Sequence, residues 1–114
     1  PEMEMVHDKL KLRELANVII DYELQCMNQT KDNLLHLMVG ECFQTKAQAE
    51  EKYHRATVSQ VQLCSYYSGS TAIQSLREEY KKKMGNKYGL KDFHEQFLSY
   101  GSSPVKYIRE MMLK

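Results

Sequence analysis

The chain has 114 residues, with 16 Lys+Arg against 15 Asp+Glu and a formal net charge of +1. That length is one ordinary domain at most, and the near-neutral charge gives no electrostatic pull toward nucleic acid or an anionic membrane. Hydrophobic residues at 42% and charged residues at 27% are globular proportions, which exclude a disordered chain, and no apolar run reaches the roughly 20 residues needed to span a bilayer. The chain begins with Pro1 in place of Met, so we expect residues 1–114 to be a single helical domain or fragment cut from the C-terminal region of a longer parent.

Residues 4–28 carry Leu12, Leu15, Ala16, Ile19, Tyr22 and Cys26 at three- and four-residue steps, the stripe of an amphipathic helix. Val18 and Ile20 widen that stripe, so the helix is expected to be covered on more than one side. Thr30 is the N-cap for a short second helix with Leu34, Leu35, Leu37 and Met38 inward and Gly40 as its terminator. Thr45 and Gln48 have the spacing of a capping box, in which each side chain satisfies the other residue's backbone N–H. A long helical stretch follows, with Tyr53, Ala56, Thr57, Gln60 and Cys64 along one side, then Ile73, Leu76, Tyr80 and Met84. Gly69 lies in its middle and is expected to mark a bend, a break or a close approach, since glycine there costs about 1 kcal/mol relative to alanine. Gly85 closes the stretch behind Lys81, Lys82 and Lys83, whose charges suit the negative end of the helix. Residues 90–100 make another helix with Leu90, Phe93, Phe97 and Leu98 inward, ended by Gly101. Ser103 as N-cap and Pro104 at the first position open a last helix with Val105, Ile108 and Met112 inside. Strand-like alternation is absent, and the fold class is an all-α array of five or six helices.

Few residues offer chemistry of their own. Cys26, Cys42 and Cys64 form no C-x-x-C pair and sit in apolar company, which reads as core packing. His94-Glu95 resembles the opening of the H-E-x-x-H zinc helix, but Leu98 stands where the second histidine belongs, and His7, His36 and His54 have no metal-ligand spacing. No metal site is therefore expected in this chain. Lys81–Lys83 with Lys87 read as a solvated helix face beside Glu78 and Glu79. Ser65, Ser68 and Ser70 lack the strand–turn–helix setting of a nucleophile elbow. Tyr66 and Tyr67 remain: tyrosines in helices usually pack, and the functional alternative is a hydroxyl that points into a cleft and donates to a developing oxyanion.

Residues 55–69, RATVSQVQLCSYYSG, resemble the helix of a bacterial zincin-like family known as family 885 of the domains of unknown function. Arg55 falls on that family's Arg, and Gln62, Tyr66 and Gly69 fall on its Gln-x-x-x-Tyr-x-x-Gly pattern. Leu76-Arg77, Gly85-Asn86-Lys87, Leu90-Lys91-Asp92-Phe93-His94 and Gly101-Ser102-Ser103-Pro104 resemble its C-terminal end, and Val18-Ile19-Ile20-Asp21 its hydrophobic-Asp segment. The resemblance implies the C-terminal helical lobe of a zinc-dependent peptidase-like protein, whose zinc and H-E-x-x-H helix lie upstream. It implies Tyr66 as the oxyanion donor, with Tyr67 as the fallback, Arg55 and Gln62 orienting substrate or tyrosine, and Asp21 linking helices behind them. The lobe would be inactive alone, holding no cofactor; its partners would be the upstream zinc-bearing part and a peptide substrate. The isolated chain would form a homodimer, and the parent would belong to the bacterial periplasm or cell envelope. Two departures stand out: many members carry Pro-Gly where this chain has Gln60-Val61, and a His where it has Gln25. The alternative reading is a non-catalytic helical interaction or structural module.

Overall fold

The computed structural model describes residues 1–114 and is all-α. Six α-helices follow one another: α1 (Glu2–Cys26), α2 (Lys31–His36), α3 (Lys46–Val58), α4 (Gln62–Met84), α5 (Leu90–Ser99) and α6 (Val105–Leu113). None is long and apolar enough to cross a membrane. The chain divides into two compact units, Pro1–Tyr67 and Ser68–Lys114, with α4 contributing its first turns to one and the remainder to the other.

The first unit packs Ile20, Leu34, Met38, Ala49, Ala56 and Leu63 into one core, with Leu24, Leu35, Leu37 and Tyr53 at its margin. Ala49 and Ala56, two turns apart on α3, let that helix lie close against its neighbours, because interaxial distance is set by the side chains at the contact. The capping box at the head of α3 is complete: the Gln48 backbone N–H donates to Thr45 Oγ1 at 3.3 Å, and the Thr45 N–H donates to Gln48 Oε1 at 3.1 Å. Thr30 caps α2 as expected, accepting from the Asn33 N–H at 3.4 Å.

Three expectations fail between α1 and α4. The stripe expected to face inward from α1 is mostly outside: Leu15, Ile19, Tyr22 and Cys26 are exposed. The covered side is Ala16, Ile20, Asp21 and half-buried Arg13, Asn17 and Leu24. Polar residues sit on that packed side because they are met there: Lys52 Nζ donates to Asn17 Oδ1 at 2.6 Å, and Asp21 accepts from the Cys64 thiol. Burial together with the neighbouring Arg13 and Arg55 charges holds the Lys52 ammonium below its ordinary pKa. Gly40 does not stop α2. The chain widens into a π-helical turn, Leu37–Glu41, with the Cys42 N–H donating to the Leu37 carbonyl, and the left-handed residue that ends the turn is Phe43, at φ 53°. Nor does Gly69 break the long stretch. It lies inside continuous helix with open space where a Cβ would stand. The break falls at Ser59–Val61, where Ser59 is extended and Val61 is left-handed at φ 65°.

The second unit gathers Leu76, Tyr80, Phe93, Ile108 and Met112, flanked by Met84, Tyr88, Phe97 and Tyr100. Tyr80 packs on Phe93 with ring centroids 5.7 Å apart, and Phe93 stacks on Phe97 at 6.0 Å. Gly85 and Gly101 both adopt positive φ, as their helix-ending positions anticipate. On α5, Phe93 is buried and Phe97 half-buried, while Leu90 and Leu98 point outward, contrary to expectation, because the aromatic rings already fill the contact. At the last helix the cap shifts by one residue. Pro104 is itself the N-cap, and Ser103 Oγ donates back to the Tyr100 carbonyl at 2.9 Å. Arg109 bonds Glu79 at 2.7 Å, and Lys83 donates to the Met112 carbonyl, which ties α6 to α4.

Candidate functional site

Arg55, Gln62, Tyr66 and Tyr67 belong to the first unit, around the turn from α3 to α4, and Asp21 to the same unit on α1. Arg55 lies in the last turn of α3 and Gln62 opens α4. The guanidinium reaches across the turn and donates twice to Gln62 Oε1, from Nε at 3.1 Å and Nη2 at 2.8 Å. The two residues are brought together as a fork that closes the Ser59–Val61 loop. Ser59 adds to it, its N–H and its hydroxyl both donating to the Arg55 carbonyl.

Tyr66 follows Gln62 by four residues, so the phenol stands one helical turn beyond the fork on the same face. Tyr66 is 53% exposed, and Tyr67, some 100° around the helix, is 38% exposed. Neither is packed away in the core.

Asp21 is placed elsewhere. It is 2% exposed, on the packed side of α1, and its Oδ2 accepts from Cys64 Sγ at 3.4 Å. Cys64 precedes Tyr66 by two residues, about 200° of helix rotation, so the Asp21–Cys64 contact faces away from Tyr66. Burial first, and the hydrogen bond to Asp21 second, push the Cys64 thiol above its ordinary pKa. The thiol therefore stays protonated and donates. Asp21 Oδ1 has no partner, an arrangement that buried polar groups rarely tolerate without a role or an ordered water.

Sequence reasoning missed two of the residues that shape this turn. Gln25 Nε2 donates to the Ala56 carbonyl at 2.9 Å, latching the end of α1 to the end of α3. Val61 holds a backbone conformation natural to glycine and unusual for a β-branched residue. The signal for the second was present: the resemblance aligns glycine at position 61. Cys64, read as simple core packing, is a hydrogen-bond partner for a carboxylate 43 residues away.

No three His, Cys, Asp or Glu side chains converge on a point where a metal ion could sit. The residues of this chain do not by themselves fit a zinc ion. What the arrangement can do is present a phenolic donor and a fixed cation–amide pair on one exposed helical face.

The sequence profile of a family described as "Bacterial protein of unknown function (DUF885)" matches residues 1–112. The chain belongs to that family. It is also similar to the solved structure of "a putative lipoprotein of unknown function from Shewanella oneidensis", with 52% identity and a TM-score of 0.96. The similarity covers 100% of this chain and 21% of that one, so the chain spans about a fifth of the length of the protein it matches. Comparison with the curated proteins found no match.

Proposed function

We propose that this chain is the helical lobe of a larger zinc-peptidase-like protein, in which it forms a wall of the substrate cleft and supplies Tyr66 as a hydrogen-bond donor to the tetrahedral oxyanion. The observation that carries the reading is the Arg55–Gln62 fork standing one helical turn from the half-exposed Tyr66 phenol. A donor aimed at developing negative charge works best when its frame is already fixed before the reaction. The fork and the Asp21–Cys64 bond hold the first turns of α4, and the Gln25 latch ties α1 to the end of α3 beside them. In this reading Arg55 and Gln62 hold the start of the tyrosine helix and offer polar groups to a peptide backbone, Asp21 links helices from behind, and Tyr67 serves as the neighbouring phenol. Zinc, the cofactor that would polarise the scissile carbonyl, belongs to the remainder of the polypeptide, and the lobe alone cleaves nothing. The lipoprotein description of the Shewanella relative supports an envelope setting for the parent.

The test is Tyr66→Phe in the full-length polypeptide, assayed on a peptide library. Removing one oxyanion donor lowers kcat by about 10²–10³ with little change in KM. A variant that keeps wild-type kcat refutes the role. A second reading, a non-catalytic interaction module, is favoured by the extent of apolar surface left open on α1, and it expects Tyr66→Phe to be silent.

A further inference from the structure

The outward side of α1 carries a seven-residue repeat. Met5, Leu12, Ile19 and Cys26 recur every seven residues, and Asp8, Leu15 and Tyr22 fall three residues after the first three of them. This is the a/d pattern of a helix that packs knobs-into-holes on another helix, with Asp8 as its one polar position. Most of it is open, with Leu12 alone among its apolar positions half-buried. Met5 is 71% exposed, Leu15 41%, Ile19 43% and Tyr22 55%. At 100° per residue the centre of the seam lies roughly 110° around α1 from the side formed by Ala16, Ile20 and Leu24, so it is a second packing face beside the one that meets the core.

Two hollows lie along the seam, as a docked helix requires. One of about 420 Å³ is bounded by Met5, Leu12 and Phe43, the exposed left-handed residue. The other, about 230 Å³, lies between α1 and α2, bounded by Ile19, Leu34 and Leu37. From Met5 to Cys26 the seam runs about 30 Å. Its flanks are mixed in sign, with Glu4 and Lys11 on one side and Lys9 and Glu23 on the other, which suits a helix of mixed charge and offers nothing particular to a polyanion.

We propose that this seam seats an apolar helix from the remainder of the longer polypeptide, so that α1 is the element on which the lobe joins its parent. The inference rests on the reading of this chain as a lobe. It is independent of any chemistry at Tyr66. The occupant follows from the comparison above: a relative 52% identical across the whole of this chain has about four fifths of its length outside the matched part. A segment in the same polypeptide acts at millimolar effective concentration and excludes a second copy at ordinary protein concentrations.

Cys26, exposed at the end of the seam, is a native reporter. In the full-length polypeptide under native conditions, alkylation of Cys26 by a maleimide, followed by peptide mass mapping, is expected to be at least 100-fold slower than in the urea-unfolded protein. The protection is independent of protein concentration. Ile19→Glu should restore fast labelling at Cys26, and Lys82→Glu, far from the seam in sequence and in the other unit, should leave the protection intact. Labelling at the unfolded rate overturns the proposal. So does protection that vanishes on dilution, which identifies a second copy as the occupant. A silent Tyr66→Phe alongside a protected Cys26 would remove the catalytic reading and leave the docking seam standing.

Discussion

Val61 offers the sharpest test of how this turn is held. Its φ of 65° places a β-branched residue in the left-handed region, and its side chain is 69% exposed. Holding such a residue there costs about 1–3 kcal/mol, toward the upper end for a β-branched side chain. Val61→Gly removes that strain and loses about 0.5–1 kcal/mol through the greater freedom of the unfolded chain. It also gives up the small buried part of the valine, about 0.5 kcal/mol. The balance is a net stabilisation of about 1 kcal/mol, which corresponds to a rise in Tm of about 4 °C for a chain of this size. Thermal and urea unfolding followed by circular dichroism at 222 nm read it directly. Val58 is the control. It is 71% exposed but lies within α3, and Val58→Gly should destabilise by a few tenths of a kcal/mol through helix propensity alone. If Val61→Gly destabilises as Val58→Gly does, the valine is held by packing, and the strained-turn argument is wrong.

Two further outcomes follow from the same structure. Ala49 is fully buried among Ile20, Leu34 and Met38, so Ala49→Leu should lower stability by about 1–3 kcal/mol through overpacking, measured as a shift of the urea midpoint; an unchanged midpoint would mean that α3 is not closely seated. The Cys64 thiol has a folded pKa above its unfolded one, so the stability tied to its protonated form is complete below the unfolded thiol pKa and is lost as pH rises through the folded value. Between pH 8 and 10 the wild-type chain should therefore lose stability more steeply than Cys64→Ser, which keeps a donor to Asp21 but does not titrate; parallel curves would contradict the Asp21–Cys64 contact.

What could be read in the sequence was what is local. The Thr45–Gln48 capping box spans four residues and forms as its spacing anticipates, and Gly85 and Gly101 end helices for reasons contained in their own backbones. The family resemblance likewise rested on short motifs, and the profile match over residues 1–112 shows the family. What was misread depends on partners distant in the chain. Helix α1 carries two usable stripes, and only the position of α3 and α4 decides that the side with Asn17 and Asp21 is covered while the more apolar one is open. Glycine at 69 was a reasonable place to break a helix, yet the chain turns at Val61, where the Arg55–Gln62 fork and the Gln25 latch together outweigh local preference. The Asp21–Cys64 contact joins residues 43 apart and leaves no spacing to recognise.

The proposal to be tested most directly is that Tyr66, with Tyr67 as the fallback, faces the developing oxyanion in the full-length protein. Binding of a phosphinic peptide, whose tetrahedral oxygens imitate that oxyanion, to the full-length polypeptide and its Tyr66→Phe and Tyr67→Phe variants tests it by calorimetry. The account expects Tyr66→Phe to weaken binding by about 2.7–4 kcal/mol, the range for one lost donor, with Tyr67→Phe close to wild type. Equal affinities for wild type and Tyr66→Phe would contradict it.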